Sequence, residues 1–153
     1  MQKGIINMSK TNQTCSLPEI ISFLENRNFD KFRFADDYAY IYNSDGIEIV
    51  MEAVDEKITD EVADLAVNAL NHLDHCMETA QGMLKRMKGE CIGERMIYGI
   101  CFEHFGYGYE TRTSYELGFT ISFHYEYDNR IHTVKFNART FMHGAFAIEE
   151  WIQ

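Results

Sequence analysis

Proline and positive charge are what this sequence has least of. One proline stands among 153 residues, and no repeat, low-complexity run or linker-like stretch divides the chain, so a single domain over residues 1–153 is expected. Lysine and arginine number 14 against 24 acids, leaving a net charge of −10. Nucleic-acid binding needs clustered Lys and Arg over phosphates, and docking on an anionic membrane needs the same, so neither is expected. A partner held by charge would be a basic protein.

Cysteine is sparse and badly spaced for chemistry. Cys15, Cys76, Cys91 and Cys101 form no C-x-x-C pair. A chain of this length builds a core without disulfides, so reduced thiols in a bacterial cytoplasm are expected. No run approaches the ~20 apolar residues of a membrane span, and Ile5, Ile6 and Met8 are too few for a secretory apolar segment. Residues 1–15 are polar and expected to be partly mobile. The phosphate-cradling G-x-G-x-x-G, the nucleophile elbow G-x-S-x-G and the acid spacing of a calcium loop are all absent. No cofactor is expected.

What is present is one strong helical pattern. Val62, Ala66, Ala69, Leu73, Cys76, Ala80, Met83 and Met87 recur at alternating steps of four and three, and Leu65, Leu70, Met77 and Leu84 widen the stripe. Thr59 suits an N-cap. Asp60, Glu61 and Asp64 sit at the positive end of the helix dipole, Lys85, Arg86 and Lys88 at the negative end, and Gly89 is a stop. One long central helix over about 60–88 is predicted. Ser16 and Glu19 form a capping box for a short N-terminal helix reaching about Asn28.

The rest alternates with period two. Lys31–Ala35, Tyr38–Tyr42, Ile47–Val54, Met96–Phe105, Tyr115–Tyr127 and Ile131–Asn137 read as strands, with turns at Asp36-Asp37, Asn43–Gly46 and Asp128–Arg130. Gly106–Tyr109 reads as a loop, and 140–152 as either a helix or an edge strand. In the 115–127 strand, Glu116, Gly118, Thr120, Ser122, His124 and Glu126 are expected on a wet face. The fold class predicted is α+β: an antiparallel or mixed sheet of about five or six strands packed on the long helix.

Candidate chemistry is thin. His72 and Cys76 stand four apart and could share a metal ion, but the helical angle turns His75 away, and a core cysteine beside surface histidines is the simpler reading. His124, Glu126, His132 and Glu103 could supply a general acid–base pair for a small hydrolase-like enzyme if the strands brought them together. Tyr107 and Tyr109, beside glycines, suit a protein contact. A structural homodimer built on exposed aromatics is a further alternative.

Charge segregation is the most informative feature. Between Asp36 and Asp64 ten acids face one base, Lys57, so this stretch carries −9 of the net −10. The dipole accounts for Asp60, Glu61 and Asp64, and a turn for Asp45. Asp36, Asp37, Glu48, Glu52, Asp55 and Glu56 remain as surplus. They point to an interface for a basic partner, in one form an immunity or inhibitor protein that covers the cationic surface of a nuclease-type toxin.

Overall fold

A computed structural model describes residues 14–88, 95–109, 112–125, 131–138 and 149–152. These form strands β1 (Thr14–Cys15), β2 (Arg33–Ala35), β3 (Tyr38–Asn43), β4 (Glu48–Glu52), β5 (Arg95–Tyr109), β6 (Arg112–Tyr125), β7 (Ile131–Asn137) and β8 (Glu149–Ile152), with helices α1 (Leu17–Glu25), α2 (Asp60–Asn71) and α3 (Leu73–Lys88). The class is α+β and the sheet is mixed. Its order is β1-β3-β4-β5-β6-β7-β8, with β2 pairing the same edge of β3 as β1.

Two parallel pairings make the sheet mixed. β1 lies parallel to β3, and β4 parallel to β5 with α2 and α3 as the crossover between them. A parallel return needs a long connection, which the helical stretch supplies. The eight strands exceed the five or six expected, because Thr14–Cys15 and Glu149–Ile152 are both edge strands. Two-residue β1 is too short for a propensity signal, and β8 falls in the stretch whose pattern was ambiguous. The expectations for residues 1–13, for Gly89, for the Asp128–Arg130 turn and for 139–148 lie outside the described residues.

The predicted single helix is two. Its stripe holds from Val62 to Ala80: Val62, Ala66, Ala69, Leu73, Cys76 and Ala80 are all buried in one core with the flanking Leu84, and Met83 packs against it partly buried. The backbone breaks at His72, which has φ −119° and ψ 29°. The imidazole Nδ1 lies 2.9 Å from the Asn68 carbonyl oxygen, and the His72 N–H turns instead to Ala69 at 3.1 Å. A side chain has taken the acceptor that the helical ladder would use. The predicted caps form: Thr59 Oγ1 accepts from Val62 N–H, and Ser16 and Glu19 exchange bonds at 3.3 and 2.9 Å.

The core is aromatic. Phe119 stacks on Phe136 with centroids 4.6 Å apart and lies 5.3 Å from Phe102. The Thr120 face of β6 reads as wet from the sequence, yet Thr120 is buried there, as are Thr133, Lys135 and Asn137 beside it on β7. Phe105 is one reason. Its ring packs where Gly118 has no side chain, and Lys135 Nζ sits 5.0 Å from the ring centroid. A Cβ at Gly118 would collide with the Phe136 carbonyl oxygen.

Residues 106–109 continue β5 and are not a loop. Tyr107 pairs with Ser114 and Tyr109 with Arg112. β4 leaves off opposite Phe102 and β7 opposite Gly118, so from Glu103 onward β5 and β6 form a two-stranded ribbon among the described residues, about 20 Å long.

Phe119 lies at the centre of the three-ring stack, so Phe119→Ala should cost about 3–5 kcal/mol, read as a lowered urea midpoint with an unchanged slope.

Candidate functional site

One end of the sheet gathers carboxylates. β3 runs antiparallel to β4 and β5 runs parallel to it, so the start of β3, the end of β4 and the ribbon all meet there. Two turns close on this end. Asp36-Asp37 joins β2 to β3 with φ of 49° and 67°, between the paired residues Ala35 and Tyr38. Asp55-Glu56 has φ of 51° and 60°, between Val54 and Lys57, which exchange backbone bonds of 2.8 and 3.0 Å. Two successive positive φ values make both turns type I′, where Asn-Gly is the best pair. Asp tolerates this conformation and Glu tolerates it poorly.

The Ala53 N–H donates to the Asp37 carbonyl at 2.9 Å and draws the two turns together. Between them lies a notch of about 320 Å³, lined by the four acids with Phe34, Tyr38 and Ala53. All four acids are exposed. Among the described residues none of their carboxylates makes an ion pair or hydrogen bond.

Beyond the notch the acids are engaged. Tyr38 donates its hydroxyl to Glu103 at 2.7 Å, and Cys101 Sγ donates to the other Glu103 oxygen at 3.2 Å. The Glu103 bond, then burial, pushes the Tyr38 phenol far above its usual range. Burial, then the Glu103 charge, does the same to the Cys101 thiol. Both keep their protons at neutral pH, so Cys101 offers no thiolate nucleophile. Cys76, buried in the core, is pushed up to about 12 by the same loss of water.

His104 joins three elements. Its Nδ1 lies 2.8 Å from Glu52 on β4, its Nε2 lies 3.0 Å from Glu61 on α2, and its N–H donates to Glu52 at 3.1 Å. Glu61 then lines a second cavity, of about 450 Å³, with Asp64, Glu116 and Asn137 around a floor of Leu65, Leu117 and Ala138. Asn137 donates to Glu116 at 2.6 Å. Arg27 closes the strip, bonding Asp60 at 2.9 Å and Asp64 at 2.7 Å. Those two carboxylates raise its already high pKa.

The surplus acids therefore divide. Asp36, Asp37, Asp55 and Glu56 come together. Glu52 belongs to the same strip but is held by His104. Glu48 starts β4, about 13 Å away at the other end, where it accepts from Tyr42 at 2.8 Å. Tyr107 and Tyr109 stand on the ribbon that rises from the acidic end.

The acid–base candidates are not brought together. Register puts His124 with Ile131 on one face of the sheet and His132 with Phe123 on the core face, where it is buried. Glu103 pairs with Gly118, six residues and about 20 Å along β6 from His124. Glu126 lies outside the described residues. The metal pair also diverges: Cys76 is buried, while His72 is exposed and bonded to Asn68. Among the described residues no group of three His, Cys, Asp or Glu side chains is placed to hold a metal. No helix among them is long and apolar enough to cross a membrane.

Arg27, Tyr38, Glu61 and His104 were not legible as site residues. His104 carries no signal beyond its place in a strand, because Glu52 reaches it only where β4 ends beside β5. Arg27 occupies the left-handed position after α1, with φ 52°, where glycine is favoured. Arg27→Gly should relieve that backbone but lose two ion pairs and the guanidinium bond to the Leu24 carbonyl, so its stability should stay within about 1 kcal/mol of wild type at low salt. In 1 M NaCl, which screens the pairs, the variant's stability by urea denaturation should shift in its favour relative to wild type. Comparison with family models, curated proteins and solved structures yields no match to this chain.

Proposed function

We propose that this chain is a protein-binding protein, and that the acidic end of its sheet docks a basic segment of another protein. The observation that carries the reading is the notch. Four exposed carboxylates without partners among the described residues crowd two type I′ turns that Asn-Gly would close at lower cost in backbone strain. Like charges so close repel one another and do not help the fold. Their use is to attract and orient a cation. An Arg or Lys entering a notch of about 320 Å³ would meet carboxylates at the rim and the side chains of Phe34 and Tyr38 within. The ribbon carrying Tyr107 and Tyr109 stands beside it as a second contact region.

An inhibitor that covers the cationic active site of a nuclease-type toxin is one concrete form of this function. Acidic steering speeds capture, which such a role rewards.

The test separates charge from folding. A variant carrying Asp36→Asn, Asp37→Gly, Asp55→Asn and Glu56→Gly should be at least as stable as wild type to urea, because each turn gains its preferred residues. The same variant should lose a basic protein that wild type captures at low salt and releases in a salt wash. Capture that survives both the substitutions and the salt would refute docking at the notch.

A further inference from the structure

His104 is placed to do more than hold the strip together. A carboxylate only accepts hydrogen bonds, and each ring nitrogen faces one, at 2.8 Å for Glu52 and 3.0 Å for Glu61. Hydrogen bonds to both carboxylates call for an N–H on each nitrogen, which only the imidazolium supplies. A neutral ring has one N–H. Losing the proton turns one of the two contacts into lone pair against lone pair.

The surroundings favour the charged form. From β4 comes Glu52. From α2 come Glu61 and, further along, Asp64, which Arg27 already holds. From β6 come Leu117, directly opposite, and Glu116, which accepts from Asn137. On β5 itself, Glu103 sits on the other face with Tyr38 and Cys101. Burial alone would lower the His104 pKa, but the Glu52 bond and charge, then those of Glu61, outweigh it and leave it raised. The ring is 33% exposed, so water can take its proton.

We propose that His104 is a protonation-gated clasp between β4, β5 and α2, and that loss of its proton breaks one of its two carboxylate contacts and leaves the Glu52–Glu61 pair a full negative charge richer for a basic partner. The second half rests on the docking function proposed above; the first half stands without it. With the clasp closed, two carboxylates and one imidazolium leave a local charge of −1. With it open the charge is −2, next to the notch.

The sign follows from linkage. A native pKa above the unfolded value means the clasp stabilises fully below the ordinary histidine pKa of about 6.5, and that this is lost as pH rises through the native value. Binding of a cation should in turn expel the proton.

The experiment has two arms on the full chain. In the first, NMR follows the His104 imidazole with pH, and urea unfolding compares wild type with His104→Gln. His104 should titrate above 6.5, and the stability gap between the two proteins should be widest near pH 6 and close as pH rises. A titration at or below 6.5, or a gap that ignores pH, overturns the clasp. In the second arm the probe is deca-lysine, whose charge stays constant over this range. Its affinity for wild type should rise roughly two- to fivefold, the scale of one exposed ion pair, as His104 loses its proton, and should be flat for His104→Gln. Binding that needs the notch acids yet ignores His104 titration overturns the gating and leaves docking standing. Binding indifferent to both the notch acids and pH overturns docking and the gating with it, while the first arm still judges the clasp.

Discussion

One core shared by a small-residue helical face and an aromatic sheet organises this protein. Val62, Ala63, Ala66, Ala69, Cys76 and Ala80 are all fully or almost fully buried, and they share one core with Phe102, Phe119, Phe123 and Phe136. Small side chains on the helices leave room for large ones on the sheet, so the volumes interlock. Because α2 and α3 form the crossover from β4 to β5, this packing also fixes which strands run parallel. The ends of those strands, and the acids on them, follow from it.

The acidic end is a consequence of that crossover. β4 ends at Glu52, the chain turns through Asp55-Glu56, and α2 begins at Asp60. A strand end, a tight turn and a helix N-terminus each have their own reason to carry an acid. Stacked within a dozen residues they concentrate negative charge at one place. The fold answers part of it with Arg27 against Asp60 and Asp64, and with His104 against Glu52 and Glu61. It leaves the notch acids unanswered among the described residues.

Much of the architecture was readable from pattern alone. The Ser16–Glu19 capping box, the Thr59 cap, the stripe from Val62 to Leu84 and the alternation of Phe119, Ile121 and Phe123 all reappear in place. These are short-range signals, set by the 3.6 and 2.0 periods of the backbone. The misses have local causes of another kind. His72 breaks the helix because its own ring competes for the Asn68 carbonyl. Gly106 and Gly108 sit inside a strand because the pairing of Tyr107 with Ser114 and Tyr109 with Arg112 outweighs their loop propensity. Lys135 is buried beside the β6 face that reads as wet, in part because Phe105 crosses Gly118 to meet it.

By itself the sequence determined the helical stripe, the strand faces, the turn positions and the massing of ten acids between Asp36 and Asp64, since each depends on residues near one another in the chain. Only the tertiary structure decided which of those acids lie together. The end of β4 and the start of α2 closed on His104 from two sides, while strand pairing carried Glu48 to the far end of its strand, parted His124 from His132, and drew two acidic turns into one notch. Side chains distant in sequence meet only once strands are paired, and a shift of one residue in that pairing would send each to the opposite face.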